Sequence, residues 1–212
     1  MEKLDLTLYL VTDRGAMTEE EFLNKVEAAC AGGVTLVQLR EKECDSLTYY
    51  HLAQKLKKVT DAFGIPLIID DRIDIALAVD AAGVHVGKSD IPVAVARTLM
   101  GNDKIVGATA KTVAQALQAQ AEGADYLGVG AIYPTTTKVK TVITKVSTLN
   151  DICHTVQIPA IAIGGLNADN CDILRESPIA GIAVVSAIMK QADGKRAAEK
   201  LRHKMKTWKM SK

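Results

Sequence analysis

The chain has 212 residues, 48% hydrophobic and only 4% aromatic, enough for one domain around a large aliphatic core and too short for two full ones. Its 26 lysines and arginines against 25 acidic residues leave a net charge of +1, which excludes the strong field expected of a nucleic-acid or anionic-membrane binder. The longest apolar stretch, residues 178–189, is broken by Ser186 and falls short of the roughly 18 residues a membrane span needs.

The charged N-terminus, with Glu2, Lys3 and Asp5, carries no apolar leader and predicts a cytoplasmic protein. From there, continuous apolar runs of strand length fall at residues 6–11, 34–39, 66–69, 83–86, 104–108, 125–129, 160–163 and 181–185. Unalternating runs suit parallel strands buried on both faces. Helix-like segments separate them, among them residues 19–31, 47–63, 113–122 and 187–205. Strand and helix thus alternate through eight units of about 26 residues, which predicts a single (β/α)8 TIM barrel over residues 1–212. Gly32-Gly33, Gly83, Gly123 and Gly181 each lead into a strand, where glycine permits a left-handed helix cap. An open doubly wound sheet is the alternative, but the first turn, Thr12-Asp13-Arg14-Gly15, lacks the Gly-x-Gly-x-x-Gly of dinucleotide folds. Residues 204–212, with Trp208, read as a frayed and solvated terminus, and His51, His154 and His203 as surface residues. Cys30, Cys44, Cys153 and Cys171 have no Cys-x-x-Cys spacing, so they read as free thiols rather than a zinc site or disulfide framework.

A barrel of this kind carries its site at the C-terminal ends of the strands. After the second run a period of two puts Gln38, Arg40 and Lys42 on one side. The third run ends in Asp70-Asp71-Arg72, where adjacent carboxylates need a cation, a helix to cap or an ion pair with Arg72. Asp90 follows the fourth run and is also an N-cap candidate before Pro92, while His85 either orients site groups or is a solvated surface residue like the other histidines. Aspartates in adjacent loops facing a basic strand end suggest Mg2+ bound to a phosphorylated substrate, with Arg40 and Lys42 taking the remaining charge. After the sixth run comes the longest helix-free insertion, in which Thr135, Thr136 and Thr137 precede Lys138; it reads as an anion-binding lid or a surface excursion. Gly164-Gly165 and Val185-Ser186 end the seventh and eighth runs, the usual barrel phosphate position. Two anion sites follow, one metal-assisted and one metal-free, which suits a two-substrate reaction.

Five motifs carry a family resemblance: Leu8-Tyr9-Leu10-Val11-Thr12-Asp13, Val37-Gln38-Leu39-Arg40-Glu41-Lys42, Gly83-Val84-His85-Val86-Gly87, Tyr133-Pro134-Thr135-Thr136-Thr137-Lys138 and Ala162-Ile163-Gly164-Gly165-Leu166. With them the chain resembles the thiamine phosphate synthase family along nearly its whole length. The resemblance implies a transferase that joins hydroxymethylpyrimidine diphosphate to hydroxyethylthiazole phosphate, releasing diphosphate and giving thiamine phosphate. It implies that Gln38, Leu39, Arg40, Glu41 and Lys42 contact the pyrimidine diphosphate together with Asp70, Thr109 and Lys138. Arg40, Lys42 and Lys138 would then be the catalytic cations, and Asp71 and Asp90 would hold Mg2+. Thr135, Thr137, Gly165, Val185 and Ser186 would hold the thiazole phosphate, and Thr136 between the two threonines would also bind substrate.

The sequence departs from the family pattern at Asp70, where asparagine is usual, and at Lys88, where glutamine is common. Thr109-Ala110-Lys111 replaces serine, alanine and histidine, and Ala131 a frequent proline. Asp70 reads as an extra magnesium ligand or a neighbour of one, compensated by Lys88. The competing functions are a thiazole tautomerase and a silent thiazole-phosphate or thiamine-phosphate binder. Neither nucleic acid nor membrane is an expected partner, and a homo-oligomer is compatible with the sequence.

Overall fold

A computed structural model describes residues 4–135 and 142–210. Eight strands form one closed parallel barrel in chain order: β1 (Leu8–Val11), β2 (Leu36–Leu39), β3 (Leu67–Asp70), β4 (Gly83–Val86), β5 (Ile105–Ala110), β6 (Tyr126–Gly130), β7 (Ala160–Ile163) and β8 (Gly181–Val184). Closure comes from β1 pairing with β8, Tyr9 opposite Ala183. Between the strands run α1 (Glu19–Ala31), α2 (Ser46–Ala62), α3 (Ile73–Ala78), α4 (Val93–Met100), α5 (Val113–Ala121) and α6 (Val146–Thr155). A single 3-10 turn, Cys171–Leu174, replaces the helix between β7 and β8, and the chain ends in α7 (Ser186–Met189) and α8 (Gly194–Met210). The expected TIM barrel is the fold observed. No helix of the described residues is long and apolar enough to cross a membrane.

The strand runs fail to alternate because both faces are apolar. Leu8, Leu10, Val37, Leu39, Ile69, Val84, Leu127 and Val129 face the helices, whereas Tyr9, Val11, Leu36, Ile68, Tyr126, Ile161 and Ala183 fill the barrel interior. Helix starts are fixed locally. Thr18 and Glu21 form a capping box on α1, with the Glu21 N–H donating to Thr18 Oγ1 at 3.2 Å and the Thr18 N–H to Glu21 Oε2 at 2.8 Å. Asp45 and Thr112 cap α2 and α5 without the reciprocal half, their side chains accepting the N–H groups of Thr48 and Gln115.

The glycines before the strands divide into two kinds. Gly33 and Gly123 do take left-handed conformations, with φ of 97° and 95°. Gly83 and Gly181 do not; a Cβ there would run into the backbone oxygens of Ile105 and Leu6, so close strand approach excludes a side chain. The C-terminal reading is also corrected. The segment 187–205 is two helices rather than one, and the tail is not frayed: Ala198, Leu201, Met205 and Trp208 form a buried stripe on α8, against the core.

Candidate active site

At the C-terminal ends of the strands the barrel opens into a cleft of about 220 Å³. Gln38, Arg40 and Lys42 all line it, Gln38 from β2 and the two cations from the segment just beyond its end at Leu39. Leu39 and Glu41, between them, do not line it. Leu39 is fully buried among the helix-facing residues and its carbonyl accepts the Tyr49 hydroxyl at 2.9 Å. Glu41 pairs with Arg14 at 3.3 Å; burial pushes its carboxyl above the ordinary range, and Arg14 opposes that only in part.

Asp70 and Asp71 both face the cleft although they are consecutive. Asp71 takes φ of 60°, a left-handed conformation that aspartate tolerates, and its N–H is held by the His85 carbonyl at 2.9 Å. That turn breaks the strand alternation and brings two carboxylates to one side. The Lys42 ammonium lies 2.8 Å from Asp70 and also pairs with Asp71, while Arg40 Nε is 3.8 Å from Asp70. Lys42 and Arg40 therefore compensate Asp70, and the exposed Lys88 does not line the cleft. Neither aspartate caps α3, whose N-cap position is Arg72, and Arg72 pairs with Asp74 instead of with them. Asp90 is likewise no helix cap. The N-cap position of α4 is Pro92, and Asp90 accepts the Gly87 N–H at 2.7 Å, closing a turn on the cleft wall.

Beneath these charges β4 and β5 contribute His85 and Thr109, and Lys111 lies just beyond β5. The His85 ring contacts Tyr126 Oη through Nδ1 at 3.1 Å and Thr109 Oγ1 through Nε2 at 3.0 Å. Tyr126 Oη is 2.8 Å from Tyr9 Oη, and Tyr9 Oη accepts from Gln38 Nε2 at 2.8 Å. Space for these rings is made by glycines: a Cβ on Gly107 would occupy the Tyr126 ring, and one on Gly128 would press His85 Cε1 at 3.3 Å.

The opposite wall is Gly164, Gly165, Val185, Ser186 and Thr135. Gly164 and Gly165 have φ of 102° and 66°, and a Cβ on either would strike Ala131 or the Tyr133-Pro134 backbone. The segment after β6 is laid along this turn by the Tyr133 N–H to the Gly164 carbonyl at 3.0 Å, and Asn170 Nδ2 braces the Gly165 carbonyl at 2.9 Å. Thr136, Thr137 and Lys138 lie outside the described residues.

Among the described residues the cleft holds three cations, Arg40, Lys42 and Lys111, and three carboxylates, Asp70, Asp71 and Asp90. Those charges cancel, so in the described part of the cleft a polyanion would gain from a further cation. The donors present suit magnesium. They are hard carboxylate oxygens, Lys42 already rests between two of them as a cation would, and the described residues contain no ready-made cage of three or more ligands. Magnesium typically takes one or two carboxylates and completes its shell with water and phosphate. Sequence reasoning had not singled out Lys111, Ser89 or the Tyr9–Tyr126 pair as site groups. The phenols lie inside apolar runs, where a tyrosine looks like any core aromatic.

The family model described as thiamine monophosphate synthase matches residues 8–188. A Streptococcus pneumoniae protein named thiamine-phosphate synthase 2 is 56% identical over 193 residues, covering 91% of this chain and 92% of its own. The Enterococcus faecalis thiamine-phosphate synthase is 55% identical over 184 residues, 87% of each chain. Among solved structures, the thiamine phosphate pyrophosphorylase from Pyrococcus furiosus superposes with a TM-score of 0.89 at 36% identity, over 97% of this chain and 98% of its own.

Proposed function

The chain belongs to the thiamine monophosphate synthase family, and we propose that its barrel mouth joins hydroxymethylpyrimidine diphosphate to hydroxyethylthiazole phosphate, giving thiamine phosphate and diphosphate. One observation carries the reading: a single cleft sets the Arg40, Lys42 and aspartate cluster opposite the glycine turn of Gly164, Gly165 and Ser186. Two anionic substrates thereby receive separate cradles within reach of one another. In this reading Gln38, Arg40, Lys42 and Thr109, with Lys138, bind the pyrimidine diphosphate. Thr135, Thr137, Gly165, Val185 and Ser186 bind the thiazole phosphate.

Asp71 and Asp90 would hold Mg2+, which when bound neutralises diphosphate oxygens. In the reaction the bond between the pyrimidinylmethyl carbon and the diphosphate oxygen breaks, and the electron pair leaves with the diphosphate. The lone pair of the thiazole nitrogen then closes the new C–N bond. No proton is lost in that exchange, so the cleft needs no strong base and no nucleophile. Arg40 and Lys42 stabilise the charge growing on the leaving group, and the glycine turn holds the thiazole where its nitrogen faces the carbon.

The test is incubation with both substrates and magnesium, then with chelator, quantifying thiamine phosphate beside Asp71→Ala. Product that vanishes with chelator and falls at least about a hundredfold in the variant is the expected result. Thiazole phosphate binding without any product would replace the synthase with a tautomerase or a silent binder.

A further inference from the structure

Four hydrogen bonds beneath the cleft link Gln38, Tyr9, Tyr126, His85 and Thr109 in that order. Its proton order follows from what each group is able to donate. Gln38 Nε2 is a donor only, so Tyr9 Oη accepts there and must send its own proton elsewhere. Tyr9 is 1% exposed, and the acceptor within reach is Tyr126 Oη at 2.8 Å. Tyr126, fully buried, has then received a proton from Tyr9 and passes its own to His85 Nδ1 at 3.1 Å. A ring nitrogen that accepts carries no hydrogen, so the imidazole proton is on Nε2 and goes to Thr109 Oγ1 at 3.0 Å. The Thr109 hydroxyl proton is left to point into the cleft that Thr109 lines.

We propose that Tyr9 and Tyr126 are positioning residues: their hydroxyl pair fixes His85 as the neutral Nε2–H tautomer and thereby aims the Thr109 hydroxyl as a donor at an acceptor atom of the pyrimidine diphosphate. The proposal rests on the synthase reading for the identity of the ligand but not for the order of the protons. The alternative order, with Nδ1–H donating toward Tyr126, requires Gln38 to turn its amide and leaves Thr109 donating to His85 rather than to a ligand. Protonating both ring nitrogens would orphan a tyrosine proton in the barrel interior, which is costly. Burial also holds both phenols well above their ordinary pKa, so neither loses its proton in the working range. The rings have nowhere else to go. They meet edge to face with centroids 5.9 Å apart, and Gly107 gives Tyr126 its place.

The first arm of the test reads the free protein. Long-range proton–nitrogen spectra of 15N-histidine-labelled protein, assigned with His85→Gln among only four histidines, should show His85 Nδ1 bare and Nε2 protonated. A proton on Nδ1 would overturn the relay. The second arm is kinetic, with Tyr126→Phe, Thr109→Val and both together. Each single change should raise KM for the pyrimidine diphosphate about tenfold, leave KM for the thiazole phosphate alone, and the double should be no worse than either single. Multiplying effects in the double would mean that Tyr126 does not act through Thr109, and the idea would fall. Should Tyr126→Phe not fold, Thr109→Ser must restore the KM lost in Thr109→Val, and failure to do so counts against the proposed donor. Because the spectrum needs no turnover, a protein with an Nε2–H His85 that makes no thiamine phosphate would sink the function while keeping the relay.

Discussion

Asp70 carries the main chemical oddity of the cleft, a second carboxylate beside Asp71 where an anionic diphosphate is expected to bind. It is tolerated because Lys42 bridges the two aspartates and Arg40 stands 3.8 Å away. That pairing also occupies Lys42, so bound metal would have to take over the aspartates for the lysine to turn to phosphate. Asp70→Asn removes one of the two carboxylates available for that exchange. If Asp70 helps to hold magnesium, directly or through water, the variant should need about tenfold more Mg2+ for half-maximal rate, as losses around a metal site commonly cost. A magnesium titration of the rate decides it, and an unchanged midpoint would reduce Asp70 to an ion-pair partner of Lys42.

At the scale of elements, α8 was the segment least legible in the sequence, and the reason is physical. Its lysines and arginines outnumber its apolar residues and suggest a solvated tail, yet Ala198, Leu201, Met205 and Trp208 recur at helical spacing and bury one stripe. Trp208 is only 5% exposed one turn from the chain end. Trp208→Ala should therefore cost about 3 kcal/mol, the lower end for a buried aromatic because the helix end relaxes into the gap. Urea unfolding with the slope held common to both proteins measures it, and a loss below about 0.5 kcal/mol would return α8 to the status of a frayed tail. The strands were far more legible. β4 and β7 were read to the residue, because glycine or proline closes one end of each and β-branched or small residues fill it. Of the site, Gln38, Arg40 and Lys42 were visible because polar residues with a period of two have one reason to be at a strand end. The facing of Asp71 was not, since it depends on a left-handed residue that breaks the period, and the Tyr9–Tyr126 pair was hidden inside runs apolar on both faces.

For the whole molecule, a net charge of +1, with three cations against three carboxylates among the described residues of the cleft, gives little long-range pull on a polyanion. If the proposed function holds, binding strength comes from short contacts completed by a metal, and diphosphate and magnesium should bind together rather than independently. The closed barrel makes this coupling readable as stability. Residues of the cleft come from all eight strands, Val11 from β1 and Gly130 from β6 among them, so a ligand held there ties the whole barrel together and binds the folded state alone. At a hundredfold excess over its dissociation constant such a ligand adds about 2.7 kcal/mol, which for a domain of this size raises Tm by roughly 5–10 °C. Diphosphate with Mg2+ should give that shift, and either alone less than half of it. Asp71→Ala should lose the part that needs the metal while still responding to thiazole phosphate on the opposite wall. Equal shifts with diphosphate alone and with magnesium would mean that Arg40, Lys42 and Lys111 suffice, and that the aspartates serve only to hold the lysines in place.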